Sequence, residues 1–163
     1  QRSIMQSRTF AYMTDSEEVL HTYISNYAAG AARKLREQHS VCRTITAFIV
    51  TNRHRDDLSQ YGNSATRRFT TPTADTVEIV KGALEMLHQI FLSGYQYKKA
   101  GVILGDISDD DAIQLDLFTS QSKNPKRVRK LMEATDTINN RFGMNKIRLA
   151  SQGCDEKNKK PKE

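Results

Sequence analysis

Two stretches of this sequence repeat apolar residues at the helical period, and each sits between runs that alternate as strands do. That interleaving constrains the fold more than any other feature. Leu20, Ile24, Ala28, Ala31 and Leu35 mark one face of the first helix. Thr14-Asp15-Ser16-Glu17 ahead of it has capping-box spacing, which places the cap at Thr14. Asp15, Glu17 and Glu18 at the start, with Arg33, Lys34 and Arg36 near the end, suit the helix dipole. In the second helix Val77, Val80, Leu84, Leu87 and Phe91 form the stripe, Thr73 is the expected cap and Gly94 the stop. Residues 3–12, 41–51, 65–71 and 97–107 read as strands, with Pro72 expected to break the third. The order βαββαβ implies an α+β two-layer sandwich. Its four-stranded antiparallel sheet carries both helices on one face and leaves the other open.

The pattern weakens after residue 107. Residues 108–123 show no element of their own, and 124–142 supports a short helix around Val128, Leu131, Met132, Thr135 and Ile138. Residues 154–163 are a charged end with no apolar run to order it. The expected organisation is therefore a domain over 1–107, a flexible segment over 108–123, and a C-terminal extension over 124–163.

Charge is distributed as sharply as hydrophobicity. The net charge is +6, but the stretch 106–118 holds Asp106, Asp109, Asp110, Asp111 and Asp116 with no Lys or Arg, so an acidic strip separates two basic blocks. A basic balance points to a polyanionic partner. Two cysteines, Cys42 and Cys154, are too few for a disulfide framework, which points to a reducing cytoplasm. The histidines His21, His39, His54 and His88 have no ligand spacing with them. No apolar run could span a bilayer. Asp109-Asp110-Asp111 could draw a divalent ion, but adjacent side chains on an extended chain diverge. There is no P-loop, no GxGxxG and no nucleophile with a local base signature. No enzyme site, metal site or cofactor site is expected. The start at Gln1 reads as a segment of a longer protein.

The sharpest local feature is Gln114-Leu115-Asp116-Leu117-Phe118. It could be a fifth, edge strand with Leu115 and Leu117 packed down. It also resembles the peptide by which bacterial polymerases dock on the sliding clamp. Two leucines and a phenylalanine can fill an apolar pocket, with Gln114 hydrogen-bonding at its edge and Asp116 as spacer. Arg2-Ser3-Ile4-Met5, Tyr61-Gly62-Asn63, Pro72-Thr73, Tyr97 with Lys99-Ala100-Gly101, and that peptide occur in order. Together they resemble the C-terminal part of the UmuC/MucB-type subunit of bacterial error-prone DNA polymerase V, a Y-family translesion polymerase. Residues 141–153 resemble the family's C-terminal extension.

The resemblance implies that residues 1–107 are a non-catalytic little finger, with nucleotide transfer and its Mg²⁺ in a palm preceding Gln1. It also implies a UmuD-type dimer and RecA as partners in the SOS response. The open sheet face is expected to meet duplex DNA through Ser3, Gln6, Arg8, Arg43, Thr66, Arg68, Lys98 and Lys99. Phosphate contacts of this kind position a duplex without reading its bases. Parity forbids Arg67 and Arg68 from sharing a face, and Arg68 with Thr66 and Thr70 is the favoured set. An RNA-binding sheet has the same element order, but its Lys/Arg-Gly-aromatic signature is missing. A protein-interaction module that binds clamp but not DNA is the remaining alternative.

Overall fold

Alternation along the strands decides how the sheet is built. In the second strand Ile45, Ala47 and Ile49 are buried while Thr44, Thr46, Phe48 and Val50 are not. That two-residue period belongs to a sheet covered on one side. The structure, a computed structural model, describes residues 2–110, 125–143 and 147–153. Its elements are β1 (Ile4–Thr14), α1 (Glu17–Glu37), β2 (Ser40–Thr51), β3 (Gly62–Thr73), α2 (Thr76–Ile90), β4 (Tyr97–Gly105), β5 (Ser108–Asp109) and α3 (Pro125–Phe142), then a 3-10 turn at Ala150–Gln152. The sheet is antiparallel in the order β1-β4-β2-β3, and β5 adds a short pair against Ser40 and Val41. This is the α+β two-layer sandwich expected from the sequence.

Leu20, Ile24 and Leu35 of α1 and Ile79 and Leu87 of α2 pack on Ile45, Ile49, Val102 and Leu104, all fully or almost fully buried. Each such side chain contributes about 1.5–3 kcal/mol relative to exposure. Gly82 lets α2 sit close to the sheet: a Cβ there would lie 3.1 Å from Ile45 Cγ2 and 3.2 Å from the Phe69 ring.

Four local expectations are corrected. The cap of α1 is Ser16, whose Oγ accepts from Val19 N, while Thr14 Oγ1 accepts from Ser16 N one step earlier. The cap of α2 is Asp75, accepting from Val77 N, and Thr73 Oγ1 accepts from Asp75 N. Pro72 lies within β3 rather than ending it, because β3 is an edge strand and the missing N–H costs no ladder bond there. The stripe of α2 is also turned: Ile79, Val80, Ala83, Met86, Leu87 and Ile90 are buried, and Val77 is half exposed.

Beyond β4 the described residues hold more structure than their pattern indicates. The helix α3 fills 125–142, and its buried positions are Met132 and Asn139 rather than Leu131 and Ile138. Arg36, near the end of α1, grips Asp136 in a bidentate pair at 2.7 and 2.8 Å. Its remaining Nη1 donates to Ala74 O and Thr76 Oγ1, both at 2.8 Å. One guanidinium thus ties α1, the start of α2 and α3 together. The chain then returns along α1, where Asn26 Nδ2 donates to Gln152 O at 2.9 Å and Gln152 Nε2 donates to Asn26 Oδ1. Between these two attachments Asn139 brackets Ile147, donating to its carbonyl and accepting from its N–H.

Candidate nucleic-acid interface

The strand registers fix which side chains share the uncovered face. Met5, Ile103, Thr46 and Thr66 form one row across β1-β4-β2-β3; Ser7, Gly101, Phe48 and Ser64 form the next; Thr9, Lys99, Val50 and Gly62 the third. Gly105, Thr44 and Arg68 complete the face toward one end. The alternate rows, such as Ile4, Leu104, Ile45 and Arg67, turn toward the helices. The uncovered face is therefore a field of hydroxyls around a small apolar centre, with Arg68 and Lys99 as cations at two margins. Thr46 and Thr66 share a 2.7 Å hydroxyl–hydroxyl bond across β2 and β3. Phe48 lies across Gly101, in the space that a Cβ at residue 101 would occupy.

The sequence-predicted contacts divide on this geometry. Thr66, Arg68, Thr70 and Lys99 are exposed on the open face, and Ser3, exposed just ahead of β1, continues the row of Met5, Ser7 and Thr9. Arg67 takes the opposite parity and pairs with Glu85 of α2. Gln6 and Arg8 fall outside the open-face rows: they share the parity of Ile4 and Phe10, with Gln6 half-buried and Arg8 still exposed. The Gln6 amide packs beside Gly30, and Arg8 stands near Tyr27. Burial pushes the Tyr27 phenol up to about 12, although the Arg8 cation acts to lower it. Lys98 donates to Ala11 O at 3.2 Å instead of reaching out from the face. Arg43, half exposed, sits at the register shift between Cys42 and Thr44 and falls outside the rows. The peptide Gln114-Leu115-Asp116-Leu117-Phe118 lies outside the described residues.

The open face also carries Thr9, Thr44, Thr46, Ser64 and Phe48, which sequence reasoning did not name. The alternation of Thr44, Thr46, Phe48 and Val50 with Ile45, Ala47 and Ile49 was the available signal. An open concavity of about 720 Å³ at the β2–β3 end extends the face, lined by Phe48, Val50, Arg53, Tyr61, Asn63 and Ser64. Arg68 Nη1 pairs with Asp106 at 2.9 Å. Among the described residues no three His, Cys, Asp or Glu side chains are grouped to share a metal ion. No described helix is long and apolar enough to cross a membrane.

These features define a helix-backed, four-stranded antiparallel sheet with one polar, uncovered face. Solved structures carry the same fold: a Y-family DNA polymerase chimera (TM-score 0.52, 20% identity, 67% of this chain and 29% of that one) and a DinB family error-prone DNA polymerase from Sulfolobus solfataricus (TM-score 0.51, 18% identity, 63% and 28%). The chain belongs to the impB/mucB/samB family, whose C-terminal domain matches residues 1–117. Residues 129–163 match a domain of unknown function, DUF4113. Similar proteins include Protein UmuC of Salmonella typhimurium, 36% identical over 152 residues, and Protein MucB of Escherichia coli, 36% identical over 154. These matches cover 93% and 94% of this chain, which spans about a third of the length of such relatives (36% of each).

Proposed function

We propose that the open sheet face holds duplex DNA by its phosphates on behalf of an error-prone translesion polymerase acting in SOS repair. The carrying observation is the separation of Arg68 and Lys99, exposed among hydroxyls, from Arg67, which is bound to the helix layer. Hydroxyls and two cations can meet phosphates of any sequence, and the rows offer no planar amide suited to a base edge. In this reading the chain contributes no group to nucleotide transfer, whose Mg²⁺ belongs to the palm of the same polymerase. Gln114–Phe118 tethers the chain to the bacterial sliding clamp, with Leu117 and Phe118 as anchors. A UmuD-type dimer and RecA remain partners by family resemblance alone.

Duplex binding at varied salt tests the face. Arg68→Glu with Lys99→Glu should weaken binding to all sequences alike and flatten the dependence of log K on log salt by about 0.9 per lost phosphate contact. An effect confined to one sequence would mean that bases are read. If the native chain fails to bind duplex while still binding clamp, the clamp-only alternative replaces this reading.

A further inference from the structure

The C-terminal unit has a fixed place on the domain, and its charge gives that place a use. Lys126, Arg127 and Lys130 are exposed on the first turns of α3 and meet no acidic side chain among the described residues. Their neighbour Arg129 is committed elsewhere: it reaches Asp110 at 3.2 Å and Glu133 at 3.1 Å. The Arg129–Asp110 pair fastens the basic end of α3 beside β5. There Asp110 N donates to His39 O, and β5 pairs with the start of β2. Arg36 holds the middle of the helix through Asp136, with both side chains largely shielded from water. The Asn26–Gln152 amide pair holds the returning chain.

The acidic strip between the two basic regions is partly neutralised in place. Asp106 is paired with Arg68 and Asp110 with Arg129, so two of its carboxylates already have cationic partners. The end of the sheet that carries Arg68 is also the end where β4 gives way to β5 and Asp110. The basic turns of α3 therefore flank the same end of the sheet as one of its two exposed cations.

We propose that the docked C-terminal unit is a second nucleic-acid-binding element, in which Lys126, Arg127 and Lys130 contact backbone phosphates of the duplex held on the sheet. This rests on the reading of the sheet as a DNA-holding face; of the three cations only Lys130 lies within the matched domain of unknown function, and Lys126 and Arg127 precede it. Three cations within about one helical turn, none paired with an acidic side chain among the described residues, match a polyanion whose charges recur every few ångströms. Anchoring at Asp110, Arg36 and Asn26 means that little of their order has to be created on binding.

The test measures binding of the full chain to a fluorescent random-sequence duplex of about two helical turns, from about 50 to 200 mM salt. Lys126→Ala, Arg127→Ala and Lys130→Ala are combined, since alanine preserves an exposed helix. If all three meet phosphates, the slope of log K against log salt should flatten by about 2.7, so that the affinity lost across that salt range shrinks about 40-fold. An unchanged slope overturns the proposal. If Arg68→Glu with Lys99→Glu still weakens binding in that case, the sheet reading survives without it. If instead the α3 variant weakens binding and the sheet variant does not, the sheet reading fails and the helix is a site of its own.

Asp136→Ala is the second, independent arm. It makes the chain more basic while releasing α3 from Arg36, whose bonds to Ala74 and Thr76 remain to hold it. Weaker duplex binding despite the added positive charge supports a docked helix. Stronger binding would show that charge counts and position does not, which overturns the proposal.

Discussion

Gly101 sits where the open face is most tightly built, and replacing it with alanine tests the packing of that face. A Cβ at residue 101 would lie 2.5 Å from Phe48 Cζ, 2.7 Å from Phe48 Cε1 and 2.5 Å from Ser7 Cβ. The ring could swing toward solvent, but Ser7 Cβ is fixed by the β1–β4 ladder, where Ser7 is the partner of Gly101. Overpacking of this kind costs about 1–3 kcal/mol, and loss of glycine's unfolded-state freedom returns about 0.4–1. The net loss is roughly 1–2 kcal/mol, a fall in melting temperature of about 2–8 °C for a chain of this size. Thermal and urea melts of Gly101→Ala, Ser7→Gly and the double variant measure it. Ser7→Gly alone should destabilise, since glycine weakens a strand interior, yet it should recover part of the Gly101→Ala loss. A Gly101→Ala chain that melts at or above the parent temperature would refute the close approach of β1 and β4.

Other consequences follow from the core and the parity of the strands. Burial, with Glu78 adding, pushes the Cys42 thiol up to about 12, so in a Cys154→Ser chain alkylation near pH 8 should proceed only as the protein opens; rapid labelling of the folded chain would contradict this. Tyr27 keeps its proton to about pH 12 when folded but to about 10 when unfolded. Its contribution is therefore complete below pH 10 and lost as pH rises toward 12, and Tyr27→Phe should flatten the fall in urea midpoint between those values. Arg67→Glu should lower the melting temperature by facing Glu85 with a like charge, yet change duplex affinity less than Arg68→Glu does; equal effects on affinity would mean that both arginines reach the duplex. Replacing Leu117 and Phe118 with alanine should abolish binding to purified sliding clamp and leave melting and duplex binding intact, whereas a collapse in melting would place those residues in a packed strand.

Element order was legible because each strand and helix obeys its own period, and the core residues of α1 were named from spacing alone. The caps were not, and for one reason at both helices. Thr14 and Thr73 each accept a bond from the N–H two residues on, so a threonine that turns the chain precedes the residue that caps it. Spacing to an acidic residue cannot separate the two roles. Face assignment on β3 was legible, since adjacent arginines must diverge. On β1 it was not, because Gln6 and Arg8 are polar residues of the covered-side parity: Gln6 packs beside Gly30 of α1, and Arg8, on an edge strand, stays exposed. The docking of α3 was not legible because Arg36–Asp136 and Asn26–Gln152 are polar pairs far apart in sequence, and the apolar contacts beside them, Met132 and Leu149, are too few to make a hydrophobic period.

The place of Phe48 separates a duplex-holding sheet from one that stacks bases. Sheets that bind single-stranded RNA expose aromatic rings on their central strands as platforms. Phe48 is on a central strand of the open face, so position alone would allow that role. Its ring, however, lies over Gly101 and against Ser7, filling the space left where glycine has no side chain. A ring used to close the sheet surface has less of its face to offer a base. Phe48→Leu keeps an apolar cover over Gly101 and removes the π-face. The expected result is duplex and single-strand affinities within about twofold of the parent, since a lost stacking contact would cost about 1–3 kcal/mol, fivefold or more. A selective loss of single-strand affinity beyond that range would identify Phe48 as a stacking platform and return the sheet to the RNA-binding class.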